Sequence, residues 1–171
     1  MLIYNFFKSQ NDSKQLLVML QGFISDSTTY DSHIEQLSQH VNVLTIDLPG
    51  HGKDTSDMND TWDFPYIAHA LDEVLSQYDM YDVYLLGYSM GGRVALYYAL
   101  NGSVALRGLL LESTSAGIQS EADKVERVQV DAARAKVLEI AGLEIFVNDW
   151  EKLPLFRSQY ELDAEVRKAI R

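Results

Sequence analysis

Short apolar runs alternate along the first two thirds of the chain with stretches whose apolar residues recur every three or four positions. That is the pattern of an α/β protein. Residues 2–7 and 16–20 predict two strands with the polar turn Gln10-Asn11-Asp12-Ser13 between them. A short helix is predicted around residues 30–40 and a third strand over 41–46. Pro49-Gly50-His51-Gly52 ends that strand and opens a polar loop reaching about Asn59. Thr61 predicts the cap of the next helix, with Asp63 and Pro65 in its first turn and Ile67, Leu71, Val74, Leu75 and Tyr78 on its apolar face. Residues 83–86 predict a fourth strand. Gly87-Tyr88-Ser89-Met90-Gly91-Gly92 then leads into a helix stopped at Asn101-Gly102, and residues 106–111 predict a fifth strand.

After Gly117 the pattern changes. Residues 121–141 predict a long helix with Val125, Val128, Ala132, Ala135 and Leu138 on one stripe, broken by Gly142. Residues 143–150 and 163–171 predict further helices, separated by Leu153-Pro154-Leu155-Phe156. No strand, internal repeat or low-complexity tract is predicted there. The length of 171 residues suits one domain with a substantial core, divided into residues 1–117 and a helical part, 118–171.

Chemistry concentrates at one place. Gly87-Tyr88-Ser89-Met90-Gly91 fits G-x-S-x-G between a predicted strand and a predicted helix. The five-residue pattern alone is weak and equally describes a plain glycine-rich turn; placed after Val-Tyr-Leu-Leu and before Arg-Val-Ala-Leu it is specific. A sharp strand-to-helix turn crowds the backbone around Ser89, so Gly87 and Gly91 must lack a Cβ, and Ser89 Oγ projects near the positive end of the helix. The run 17–23 is an apolar strand entering a glycine turn, where Phe23 would offer one backbone N–H to a developing oxyanion and Met90 the other.

Together with Asp47-Leu48-Pro49-Gly50-His51-Gly52-Lys53, these motifs resemble the α/β-hydrolase superfamily over the whole chain. The resemblance implies a mostly parallel sheet with helices on both faces and a helical cap formed by residues 118–171. It assigns His51 to a structural turn, and places His33, His40 and His69 on or beside helices, away from the chemistry. A narrower resemblance rests on Tyr88, Arg93 after the double glycine, Leu111-Glu112-Ser113, Arg127 with Asp131, Phe146-Val147 and the segment Trp150-Glu151-Lys152-Leu153-Pro154-Leu155-Phe156. These are similar to the synthases that form 2-succinyl-6-hydroxy-2,4-cyclohexadiene-1-carboxylate in menaquinone biosynthesis. By that resemblance Ser89 is catalytic, and Tyr88, Arg93, Arg127, Trp150 and Arg171 line a pocket for an enolpyruvyl-bearing polycarboxylate that loses pyruvate. Several guanidinium groups suit several carboxylates. Residue by residue, Arg127 with Asp131 and Arg134 reads equally as an exposed salt-bridge ladder, Arg93 as a surface cation, and Trp150 as a cap-core residue.

Two departures stand out. Gln21 occupies the position where the superfamily usually has His, and the chain stops before the acid and the His that follow Ser in the triad order. The chain is therefore expected to be C-terminally truncated and, alone, inactive. A general ester or acyl hydrolase and an inactive fragment that self-associates through its exposed sheet edge are the other readings.

Charge and composition narrow this further. Asp plus Glu number 25 against 14 Lys plus Arg, a net charge of −11. Such a surface repels phosphate backbones and anionic lipid, so neither nucleic acid nor a membrane is expected as partner, and an anionic substrate needs a local basic pocket. The absence of cysteine excludes disulfides and thiolate metal sites; no metal and no cofactor are expected. With no export signal and no apolar span, a cytoplasmic protein is expected.

Overall fold

A computed structural model describes residues 1–169 and divides into two compact units, Met1–Gly117 and the residues from Ile118 onward. In the first unit β1 (Ile3–Phe7), β2 (Gln15–Leu20), β3 (Asn42–Asp47), β4 (Asp82–Tyr88) and β5 (Gly108–Glu112) form one sheet in the order β1-β3-β2-β4-β5. All neighbours are parallel except β1, which runs antiparallel to β3. The polar turn after β1 does not close a hairpin, because β3 lies between β1 and β2. Burial fits the order: β3 is buried at every position and lies inside the sheet between β1 and β2, whereas β1 has no buried position and takes an edge.

Side chains alternate between two cores. Leu16, Val18, Leu20, Leu44, Ile46 and Leu85 face α2 (Phe64–Leu75) and α3 (Met90–Asn101), packing on Leu71, Val74, Val94 and Tyr98. Met19 and Val43 point the other way, toward Tyr30 and toward Ile34 and Leu37 of α1 (Asp31–Ser38). The cap of α2 is Asp63, not Thr61. The Asp63 carboxylate accepts from Tyr66 N–H at 2.9 Å, while the Thr61 carbonyl accepts from Asp63 N–H, a turn too early to cap. Pro65 then sits in the first turn, where its missing N–H leaves no bond unmade.

Asp72 ties α2 to the end of α3. Its carboxylate accepts from Tyr98 O–H at 2.6 Å and from Ser103 N–H and O–H at 2.8 Å each. Burial pushes this carboxyl up, but the hydrogen bonds outweigh it and hold it below its ordinary 3.8. Because the folded value is the lower one, the stabilisation is present above the ordinary value and is lost as the pH falls through the folded one. The stability gap between wild type and Asp72→Asn is expected to shrink on acidification below about pH 4. Urea midpoints measured from pH 6 down to 3 check this; a constant gap counts against it.

In the second unit α4 (Glu121–Trp150) carries a break at Gly142, whose φ of 81° and ψ of 171° separate two helical pieces. A 3₁₀ segment (Pro154–Glu161) and α5 (Ala164–Ala169) follow. The expected apolar stripe is largely exposed, with Val125, Val128 and Leu138 at 59%, 68% and 40%. A stripe is buried only where a second layer covers it, and among the described large hydrophobics of this unit only Phe146 is buried. Among the described residues no helix is long and apolar enough to cross a membrane.

Candidate active site

The chain order reverses at one place in the sheet. From β2 it moves outward to β3, then returns across β2 to β4, so the ends of β2 and β4 form the switch point of the topology. In open α/β sheets ligands bind in the crevice outside such strand ends. Ser89 lies there, between β4 and α3, with φ 51° and ψ −111°. A non-glycine residue held there costs about 1–3 kcal/mol and persists where surrounding structure fixes it. Both flanking glycines are required. A Cβ on Gly87 would strike Gly91 and Gly92 backbone, and one on Gly91 would strike the Leu20 and Gln21 carbonyls. The elbow therefore sits directly against the turn that leaves β2.

That turn is equally constrained. The last ladder pair is Leu20↔Ile46, and Gln21, fully buried, continues the pairing with its side chain. In the amide orientation that satisfies both neighbours, it donates to the Ile46 carbonyl at 2.7 Å and accepts from Leu48 N–H at 3.0 Å. Tyr30 O–H donates to the Leu20 carbonyl at 3.0 Å. Burial, with the charges of Glu112 and Tyr88, pushes that phenol up to about 12, so it keeps its proton. Gly22 packs under the Tyr88 ring, and an added Cβ would lie 3.5 Å from Ser89 Cβ. Downstream, buried Asp47 accepts from Ser27 N–H at 2.8 Å and Lys53 N–H at 2.9 Å, joining the loops after β2 and β3. Ile24, a β-branched residue at φ 57°, marks the same turn as strained. Ile24, Ser89 and Ser113 (φ 48°) all follow strand ends at this edge; Asp12, of a type that tolerates the left-handed region, is the exception.

The first unit thus brings together Ser89, Tyr88, Met90 and Arg93 with the Gly22-Phe23 turn. Met90 opens α3, so its N–H has no intrahelical acceptor. Phe23 is 41% exposed and stands edge-on to His51 at 5.8 Å. Arg93 is exposed one helical turn after Ser89, and among the described residues it makes no ion pair. Arg127 and Trp150 belong to the second unit. Arg127 pairs with Asp131 at 2.7 Å, which also takes Arg134 at 3.3 Å, so the ladder is formed. Trp150 stacks on Phe146 at 5.9 Å beneath the Arg134 guanidinium at 4.9 Å. Arg171 lies outside the described residues.

No histidine partners Ser89 among the described residues. His51 Nδ1 donates to the Pro49 carbonyl at 2.9 Å, fixing the turn; His33 contacts Ser32 Oγ at 3.0 Å; His69 faces Glu73 at 3.8 Å. Asp47 opens the motif ending at Lys53; Tyr30 and Thr114 also hold the site and carry no motif of their own. The one sequence signal for Thr114 is the second glycine of Gly91-Gly92, which implies a neighbour pressed against the helix.

The family profile described as the alpha/beta hydrolase fold matches residues 15–166. A putative 2-succinyl-6-hydroxy-2,4-cyclohexadiene-1-carboxylate synthase of Bacillus subtilis is 31% identical over 94% of this chain and 58% of its own length. The synthase of that name from Salmonella agona is 35% identical over 90% and 59%. The solved structure of MenH from S. aureus superposes with a TM-score of 0.95 and 56% identity, covering 98% of this chain and 63% of that one. A thermophilic esterase of Thermogutta terrifontis, at 23% identity and a TM-score of 0.78, shares the fold. The chain thus spans about three fifths of the length of the relatives it matches.

Proposed function

Since the chain belongs to the α/β-hydrolase family, we propose that the polypeptide carrying it is a carbon–oxygen lyase of menaquinone biosynthesis. It eliminates pyruvate from an enolpyruvyl-bearing cyclohexene polycarboxylate and leaves 2-succinyl-6-hydroxy-2,4-cyclohexadiene-1-carboxylate. The observation that carries the reading is the strained Ser89 elbow with the exposed Arg93 guanidinium one turn along α3, which makes no ion pair among the described residues. The names of the Salmonella agona and Bacillus subtilis relatives support it.

In this reading Ser89, activated by a general base, removes a proton from a ring carbon. The electron pair forms a new C=C bond, the C–O bond to the enolpyruvyl group breaks, and the leaving enol tautomerises to pyruvate. The Met90 and Phe23 N–H groups stabilise the negative charge that develops on oxygen. Arg93 pairs with a substrate carboxylate, and Tyr88 walls the pocket. Arg127, Trp150 and Arg171 enter by the resemblance alone. The protein works in the cytoplasm without metal or cofactor.

The test is pyruvate release by the longest polypeptide that carries these residues, coupled to a lactate dehydrogenase readout. Arg93→Ala is expected to raise KM for the polycarboxylate about 10- to 100-fold, the loss of one charge-assisted hydrogen-bonded pair. Neutral ester turnover should be unchanged. Brisk ester hydrolysis without pyruvate would instead assign the site to a general hydrolase.

A further inference from the structure

The strained elbow needs something to hold it, and the segment after β5 does so from both sides of Ser89. Ser89 N–H donates to the Glu112 carbonyl at 2.9 Å, extending the β4–β5 pairing beyond Tyr88↔Glu112. Ser113 then turns back with φ 48°, and Thr114 Oγ1 donates to the Ser89 carbonyl at 2.7 Å. The Thr114 side chain fits because residue 92 is glycine: a Cβ there would lie 2.6 Å from Thr114 Cγ2 and 2.7 Å from Thr114 Cβ. Gly87 and Gly91 make the elbow itself; Gly92 makes room for Thr114.

We propose that Thr114 is a positioning residue for Ser89: its hydroxyl holds the nucleophile's peptide in the strained conformation that aims Oγ at the substrate. The inference rests on Ser89 being the reacting group, not on the identity of the substrate. A static elbow stores about 1–3 kcal/mol of backbone strain, which relaxes when an anchoring bond is removed. The other acceptor contact of that carbonyl, from Arg93 N–H, is longer at 3.3 Å and comes from the helix, not from across the sheet. The hydroxyl therefore decides where the peptide plane points.

Thr114→Val keeps the shape and removes the donor, and Thr114→Ser keeps the donor. In the longest polypeptide carrying the chain, Thr114→Val is expected to lower kcat about 3- to 10-fold with KM unchanged, the loss of one hydrogen bond. Thr114→Ser should restore kcat. Tyr98→Phe, which removes a bond of similar length to Asp72 far from the elbow, is the control: its stability falls and its kcat does not. The same kcat is measured with the polycarboxylate and with a neutral p-nitrophenyl ester. If wild type turns over the ester and releases no pyruvate, the substrate reading fails while this inference is still tested. Amide exchange by NMR on residues 1–171 supplies a readout without turnover: Ser89 and Arg93 N–H should exchange faster in Thr114→Val than in Thr114→Ser. Equal kcat, or equal exchange where neither substrate turns over, overturns the inference.

Discussion

Gly91→Ala is expected to destabilise residues 1–171 by roughly 2–4 kcal/mol, a large share of the stability of a domain this size. The new methyl group would meet the carbonyl oxygens of Leu20 and Gln21, which are main chain at the end of a fully paired strand. No rotamer change relieves that contact; either β2 or the start of α3 must move. Gly108 is a useful contrast, because its added Cβ would meet the Tyr84 ring at 2.7 Å, side-chain atoms rather than main chain. Helix propensity works the other way, favouring alanine over glycine by about 1 kcal/mol inside a helix. The sign of the measured change therefore separates close approach from propensity. Urea unfolding followed by circular dichroism checks it; a variant within about 0.5 kcal/mol of wild type, the range of ordinary surface substitutions, would show that the elbow does not rest on the β2 turn.

That contact also shows which parts of the molecule could be seen in the sequence. Gly87, Ser89 and Gly91 were legible because a tight strand-to-helix turn admits few residue types, so the requirement is written into consecutive positions. The strands were legible as apolar runs, yet their order was not. The turn at residues 10–13 looks like a hairpin, and the antiparallel partner of β1 is β3, some forty residues on. Pairing is decided by which strands can be buried on both faces, a property of the assembled sheet. The cap of α2 was missed by two residues because Thr and Asp are both good caps, and the choice lies in whether the side chain reaches Tyr66 N–H. Thr114 and Tyr30 were invisible as site residues for a different reason. Each holds the site through one hydrogen bond to a backbone carbonyl elsewhere in the chain, and a lone polar residue carries no spacing that could announce this. Gln21 stood out in the sequence only as a departure from the usual His. Its buried amide bridges the Ile46 carbonyl and Leu48 N–H, so it helps fix the position of the turn.

Pyruvate release by residues 1–171 alone is expected to be indistinguishable from that of the same chain carrying Ser89→Ala, and at least about a thousandfold below that of the longest polypeptide carrying these residues. A neutral serine hydroxyl is a poor nucleophile and a poor proton carrier until a base within hydrogen-bond reach takes its proton. Among the described residues His51 is engaged with the Pro49 carbonyl, His33 with Ser32 and His69 with Glu73, and none is bonded to Ser89. What is left is the geometry of the elbow and the N-terminal amides of α3, which can stabilise charge but cannot move a proton. Removing one member of such a triad typically leaves about 10³–10⁴-fold catalysis over water, from binding and oxyanion stabilisation alone, and Ser89→Ala would leave that remainder untouched. The comparison is therefore made between the two variants rather than against buffer. If wild type turns over and Ser89→Ala does not, one of His33, His40, His51 or His69 is the base, and alanine at each in turn identifies it. If both turn over alike and fast, the proton is taken by a group other than Ser89, and the elbow serves binding rather than proton transfer.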